Sequence, residues 1–293
     1  MNGILAWGLD FIRAVQSLGN PGVTLVMKGF TYVGSAPFYI LAIPLIYWTI
    51  DRKRGLRILL FFLVSTFANM WLKDLWGQPR PFELDKAIAM MPELGHGLPS
   101  FHAQTSVVFW GMSAILFPRP LGLVLSIAMP LLIGFSRIYL GVHFPTDVFV
   151  GWGLGLVLVL TDRLVSDRFE KLLAILGGRW RLISMAVVAL LMNALYHADL
   201  SMSGAFLGAG MGFAWADDKA QFSVEGSLLA KIARVVLGLA TTVGVYFLFK
   251  LITPGREAEL FNLASFLSFA FVGFWIAFAA PWLFLKLKLA RAA

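Results

Sequence analysis

Seven polar residues set among long apolar runs have the types and spacing for chemistry: Lys73, Arg80, Ser100, His102, Arg137, His143 and Asp147. The densest stretch, residues 136–147, puts an arginine, a histidine and a carboxylate between two apolar runs, where each ionisable group needs a reason to exist. Pro145 has a fixed φ that suits the first turn of a helix, and it pushes Phe144 out of the helical region. His143 is therefore expected in the approach to a helix and Asp147 in its first turn, from where the carboxylate can reach back to the imidazole. A carboxylate on one ring nitrogen fixes the tautomer and leaves the other nitrogen free as nucleophile, base or ligand. The same pair is also the pattern of an ordinary capped helix start, so alone it does not decide.

Upstream, Lys73 closes an apolar run, Gly77, Gln78 and Pro79 break it, and Arg80 and Pro81 follow. Pro99 and Ser100 then form a helix-start signal, with His102 just inside the helix whose unpaired first-turn N–H groups would face a bound anion. Three cations, a hydroxyl, a helix terminus and two histidines are what a phosphate or phosphate ester needs. The cations share its charge, the donors fit its oxygens, and the histidines can divide the nucleophile and acid roles. No carboxylate cluster suited to Mg²⁺ or Zn²⁺ lies near these residues, so no metal and no cofactor is expected. The absence of cysteine excludes disulfides and thiolate metal sites.

The elements that must position these groups are membrane helices. Of 293 residues 59% are hydrophobic and only 14% charged, with mean hydropathy +0.80, which predicts an all-α polytopic integral membrane bundle. The net charge of +8 then reads as loop cations obeying the positive-inside rule, and no nucleic-acid partner is expected. No basic leader with a small-residue cleavage site opens the chain, so no cleaved signal is expected. Residues 3–17 carry Asp10, Arg13 and Gln16 on one helical side and apolar residues on the other, which predicts an interfacial helix ended by Gly19, Asn20 and Pro21. Nine apolar runs follow, near 29–50, 56–76, 102–117, 120–138, 145–163, 182–198, 201–216, 228–250 and 260–285, giving about nine transmembrane helices. The Gly-rich run 203–216 is the weakest of them.

With nine crossings in alternation, 16 of the 24 Lys and Arg fall on the side of loops 51–57, 118–120, 163–181 and 217–234 and the tail from Lys286. That side, with the C-terminus, is expected to be cytoplasmic. Lys73, Arg80, His102, Arg137, His143 and Asp147 all fall on the other side, facing the periplasm or exterior of what reads as a bacterial inner membrane.

Lys73 with Arg80-Pro81, then Pro99-Ser100-Phe101-His102, then Ser136-Arg137 with His143 and Asp147 resemble the three-part signature of the type 2 phosphatidic acid phosphatase superfamily, which includes integral lipid-phosphate phosphatases. The resemblance covers residues 73–147, in order and with the right internal spacing. It implies that His143 attacks phosphorus to give a phosphohistidine and that Asp147 orients it. It also implies that His102 protonates the leaving oxygen and then activates water, and that Lys73, Arg80, Ser100, Phe101 and Arg137 hold the phosphoryl oxygens, Phe101 through its backbone N–H. Residues 1–22 then read as an interfacial helix, 23–165 as a catalytic helical core and 166–293 as further transmembrane helices of unknown role. The expected partners are the bilayer and a phospholipid, prenyl-phosphate or sphingoid-phosphate substrate.

One position departs from the pattern, since the family usually has Gly where Phe101 stands between Ser100 and His102. Two other activities stay open: a phosphotransferase that passes the phosphoryl or headgroup to a lipid or sugar hydroxyl, and a non-catalytic lipid-binding or transport protein. His96 reads as a plain loop residue, Glu83, Asp85 and Glu93 as a solvated rim, and His197 and Asp199 as helix-end residues.

Overall fold

A computed structural model describes residues 3–176 and 178–293. The helices are α1 (Gly3–Ser17), α2 (Pro21–Val33), α3 (Ala36–Thr49), α4 (Arg52–Trp76), α5 (Pro81–Leu84), α6 (Phe101–Ser113) and α7 (Arg119–Tyr139). They continue as α8 (Pro145–Thr161), α9 (Asp167–Leu176), α10 (Gly178–Leu195), α11 (Ser201–Lys219), α12 (Leu228–Ile252), α13 (Phe261–Phe274) and α14 (Ala280–Lys286). Among the described residues there is no sheet, only an isolated antiparallel bridge between Phe222 and Ala292.

The expected all-helical membrane bundle is met in kind. Among the described residues five helical runs are long and apolar enough to cross a membrane: Arg52–Leu84, Arg119–Tyr139, Pro145–Leu172, Leu228–Ile252 and Phe261–Lys286. A sixth is reached if Pro21–Val33 and Ala36–Thr49, bent by 50° at their junction, make one span. The nine expected runs are thus not all reached on length and hydropathy. Of the others, α6 has only 13 residues, while α10 and α11 have charged ends. The expected run 29–50 is the bent pair α2–α3, and the connection 163–181 contains α9 where a plain loop was expected.

By its internal packing the chain forms two compact units, Met1–Tyr39 with Ala68–Leu164, and Ile40–Phe67 with Val165–Ala293. The first unit holds every candidate site residue. Its core gathers Leu9 and Ile12 of α1 with Ile88, Ala103, Ile138, Phe144 and Val148, so one part of the apolar surface of α1 is buried on protein while Ile4, Trp7 and Phe11 stay exposed. On the other face Arg13 pairs with Asp85, and Gln16 donates to the carbonyls of Ile88 and Tyr139 at 2.9 and 2.8 Å.

The seam between α6 and α8 is made by small residues. A Cβ on Gly151 would stand 2.7 Å from the Ser100 carbonyl oxygen, and one on Gly155 2.6 Å from that of Gln104. This is the close backbone approach that glycines four apart permit between membrane helices. In consequence the Ser100 N–H reaches the main-chain carbonyl of Asp147 at 2.9 Å. Helix α6 is unusually polar for a buried helix, with Gln104, Thr105 and Ser106 fully buried. Their groups are satisfied locally: Asn69 donates to the Gln104 side chain at 2.9 Å, and Thr105 and Ser106 donate to the carbonyls of Phe101 and Ala103. A helix enclosed by protein in this way needs no apolar surface for lipid.

In the second unit the Gly-rich run is a regular helix. Gly204, Gly208 and Gly212 line one face of α11 against α13, and a Cβ on Gly208 would stand 1.8 Å from the Ala270 carbonyl oxygen. Arg234 of α12, 1% exposed, donates to the carbonyls of Leu289, Val224 and Glu225 at 2.8, 3.0 and 2.5 Å. It also donates to those of Trp48 and Ser223, so a buried guanidinium is satisfied by main-chain oxygens.

Candidate active site

The site is built where α4 ends, α6 begins and α7 turns into α8. After Tyr139 the chain leaves α7 through Gly141 at φ +70°, a left-handed position at which a Cβ would also strike the Ile88 carbonyl. The N–H groups of Val142 and His143 both fold back onto the Arg137 carbonyl, at 3.2 and 3.3 Å. Pro145 opens α8, and Asp147 in its first turn accepts the Phe144 N–H at 3.0 Å through Oδ2. The same oxygen lies 3.2 Å from Nδ1 of His143. The cap and the histidine contact therefore coexist on one carboxylate, and the two readings of this pair do not exclude each other.

Nε2 of His143 lies 3.2 Å from Nη1 of Arg80. A guanidinium can only donate, so Nε2 must present its lone pair and the ring proton sits on Nδ1, facing Asp147. Burial, reinforced by the charges of Arg80, Lys73 and Arg137, holds the imidazole pKa well below the usual histidine range and keeps the ring neutral. His143 is 1% exposed and Asp147 fully buried.

The three cations are gathered by five consecutive loop residues. Glu93 pairs with Arg137. The carbonyls of Leu94 and Gly95 accept from Arg80 at 2.8 and 2.6 Å, and those of His96 and Gly97 accept from Lys73, the latter at 3.1 Å. Arg80 also donates to the Val142 carbonyl at 2.9 Å. Arg80 and Arg137 are buried, at 2% and 0% exposure, so each guanidinium is held in place before any ligand arrives.

Ser100 is the N-cap residue of α6, yet its hydroxyl makes no capping bond and is buried with no hydrogen-bond partner among the described residues. Such an orphan needs an explanation, and an acceptor brought by a ligand is one. His102, in the first turn of α6, lies against the bend between α2 and α3, where a Cβ on Gly34 would be 3.2 Å from its Cδ2. Phe101 is half-buried, and its ring meets that of His102 edge-on at 5.9 Å between centroids.

Bonds thus join Arg80, His143 and Asp147 directly, and Ser100 joins them through its backbone. Lys73 and Arg137 stand close enough to act on the charges of His102 and His143. Two residues of the site escaped the sequence reading. Gln78, seen only as part of a helix break, donates from Nε2 to Asp147 Oδ1 at 2.6 Å. Glu93, read as solvated rim, is instead the ion-pair partner of fully buried Arg137. Asp85 also leaves the rim, as the partner of Arg13. No periodicity signals such loop residues; the one available clue is that buried cations need anionic or carbonyl partners nearby. His96 stays an exposed loop residue, and Asp199 accepts the Ser201 N–H at 2.9 Å as a helix-end residue.

Comparison with known proteins matches two separate stretches of the chain. The model of the PAP2 superfamily matches residues 54–169, and that of the PAP2 superfamily phosphatase transmembrane extension matches residues 200–292. Lipid phosphate phosphatase delta of Arabidopsis thaliana is 24% identical over 56% of this chain and 43% of its own length. Sphingosine-1-phosphate phosphatase 2 of Homo sapiens is 30% identical over 44% of this chain and 34% of its own. The chain thus spans less than half the length of these curated relatives. A crystal structure of a transmembrane PAP2 type phosphatidylglycerolphosphate phosphatase from Bacillus subtilis is 29% identical, covers 58% of this chain and 88% of that one, and superposes with a TM-score of 0.49. Since the first family model encloses every residue from Lys73 to Asp147 and the second falls on α11 to α14, the chain belongs to the PAP2 superfamily.

Proposed function

We propose that this chain is a membrane lipid-phosphate phosphatase that hydrolyses a phosphomonoester or diphosphate headgroup at the outer face of the membrane, without a metal. One observation carries the reading: a neutral histidine whose Nε2 lone pair meets Arg80 while Asp147 faces Nδ1, beside two further cations and an orphan serine hydroxyl. In this proposal Nε2 of His143 forms the bond to phosphorus as the bond to the leaving oxygen breaks, and His102 gives that oxygen its proton. His102 then takes a proton from water, the water oxygen bonds to phosphorus, and the N–P electron pair returns to His143. Lys73, Arg80, Arg137, the Ser100 hydroxyl and the N–H groups at Phe101 carry the charge that spreads over the phosphoryl oxygens. Asp147 stabilises the cationic ring of the phosphohistidine.

The location supports a lipid substrate, because a phosphate site between membrane helices can receive a headgroup while the chains stay in the bilayer. Relatives named for lipid phosphates and sphingosine-1-phosphate support the same class. The charge asymmetry of the loops supports an outward-facing site and a cytoplasmic C-terminus. The proposal includes nine crossings, with α6, α10 and α11 joining the longer helices. It also includes the division into an interfacial helix over 1–22, a catalytic core over 23–165 and accessory helices over 166–293.

The test is phosphate release by the purified chain from a panel of lipid monophosphates and diphosphates, with and without chelator and with and without an acceptor alcohol. Release that survives chelator is expected. Loss of activity restored by Mg²⁺ would overturn the metal-free chemistry, and quantitative transfer to the acceptor would make the chain a transferase.

A further inference from the structure

We infer that Gln78 is a positioning residue for the nucleophile, holding the Asp147 carboxylate in the orientation that keeps His143 in its reactive tautomer. The inference rests on the proposed role of His143. Asp147 is fully buried, so each of its oxygens needs donors. Oδ2 is shared by the Phe144 N–H and by Nδ1 of His143, at 3.0 and 3.2 Å. Oδ1 receives the Gln78 amide at 2.6 Å, the shortest of the three contacts. Without that donor the carboxylate is free to turn about its Cβ–Cγ bond and to offer Oδ1 to the histidine, which breaks the shared cap.

The main chain of Gln78 acts in the same direction. Its carbonyl accepts the Gly97 N–H at 2.8 Å, and the Gly97 carbonyl accepts from Lys73 at 3.1 Å. A Cβ on Gly97 would lie 3.0 Å from Asp147 Oδ2, so the loop that Gln78 seats also closes the space around the carboxylate. One residue thus ties the end of α4, the cation-holding loop and the start of α8 together.

The residue type matters as well as the place. The titratable group that touches Asp147 is the neutral ring of His143, and the positive charges that face it are Lys73 from the end of α4 and Arg80 from the following loop. A neutral amide orients the carboxylate without adding to those positive charges, leaving its full charge for the ring when the ring becomes cationic. The Gln78 amide does not titrate, so the donor side of its bond to Asp147 is unchanged by pH.

The experiment compares wild type, Gln78→Ala, Gln78→Glu and His143→Ala as full chains in detergent, on a soluble aryl phosphate and a lipid phosphate across a range of pH. Gln78→Ala is expected to lower kcat by about 10- to 100-fold, as for a misplaced reacting group, with KM changed by less than about twofold. Gln78→Glu keeps the shape of the side chain. Protonated, it donates to Oδ1 as the amide does; ionised, it repels Asp147. Its activity should therefore approach wild type at the acid end and fall progressively as pH rises, moving the alkaline limb of the profile to lower pH. A Gln78→Ala protein with wild-type kcat would overturn the inference. So would a Gln78→Glu profile that parallels wild type at every pH, since a purely structural role predicts a uniform loss. Melting temperature with and without vanadate checks that each variant retains a formed site. The underlying reading fails separately, if wild type releases no phosphate or if His143→Ala still turns over.

Discussion

Replacing Glu93 by Gln should make the site bind phosphate-like anions more tightly. Arg137 is fully buried while the Glu93 carboxylate that meets it is 26% exposed, so the ion pair sits at the mouth of the site with its anionic side toward water. A phosphoryl oxygen that takes the Nη2 side of Arg137 must displace that carboxylate, while the Arg137 Nε, buried with no partner among the described residues, is a second donor for the same anion. A charge-assisted bond is worth about 1.5–3 kcal/mol when buried, and the exposure of Glu93 reduces this to about 1–2 kcal/mol. The glutamine keeps an acceptor for Arg137 but gives up the charge, so most of that penalty is lifted, and 1–2 kcal/mol corresponds to roughly a 5- to 30-fold change in an equilibrium constant. The assay is inhibition of a soluble aryl phosphatase activity by vanadate and by inorganic phosphate at fixed pH and ionic strength. Both inhibition constants should fall by roughly 5- to 30-fold, and KM for the aryl ester should fall with them. Ligand-free protein should melt lower than wild type, because Arg137 has lost its counter-charge, and vanadate should raise its melting temperature by more than it raises that of wild type. Unchanged or weaker inhibition would refute the reasoning, by showing that Glu93 does not compete for the place a phosphoryl group takes.

His143→Ala should abolish both turnover and any phosphoenzyme, while His102→Ala should slow a poor leaving group more than an activated aryl phosphate; sizeable hydrolysis by the former removes His143 as nucleophile. His143 also predicts a pH dependence of stability: the unfolded chain takes up a proton on this ring near its ordinary pKa of about 6.5, whereas the folded chain refuses it until well below. The unfolded state then binds more protons, so stability falls as pH drops below about 6.5, a slope that His143→Gln should flatten in thermal melts and that bound phosphate should reduce. Gly208→Ala, whose Cβ would stand 1.8 Å from the Ala270 carbonyl, should destabilise by about 1–3 kcal/mol in denaturation curves, while Gly244→Ala, with nothing within 4 Å, should be neutral or slightly stabilising. Because the chain has no cysteine, a single Cys at Leu94, 91% exposed, should be labelled by an impermeant reagent from outside intact cells; labelling only after permeabilisation would reverse the proposed sidedness.

The parts of the site that were legible in the sequence are those whose geometry is local. Pro145 and the three-residue step from Phe144 to Asp147 dictate a capped helix start, so the contact between His143 and Asp147 follows from neighbours in the chain. The residues that hold the cations were not legible, because Glu93 meets Arg137 across 44 positions and Gln78 meets Asp147 across 69, and no periodicity records such pairings. The same holds for the architecture. The long apolar runs were visible as helices, but the assignment of residues 40–67 to the same unit as 165–293 depends on non-local packing. In α11 the clue was present and was read weakly: Gly204, Gly208 and Gly212 weaken a helix by propensity, but at four-residue spacing they are also the groove into which a second backbone fits.

The contact between Arg80 and His143 carries a constraint of parity. Two residues 3.2 Å apart lie on one side of a membrane, so the chain between them must traverse it an even number of times. Helix α7, with 21 residues and an apolar composition, supplies one traverse. In the proposed topology its partner is the stretch that contains α6, a 13-residue helix with a polar interior. A topology map that leaves out α6 would therefore separate the histidine from its arginine by the whole thickness of the bilayer, and would reverse the side of every loop that follows.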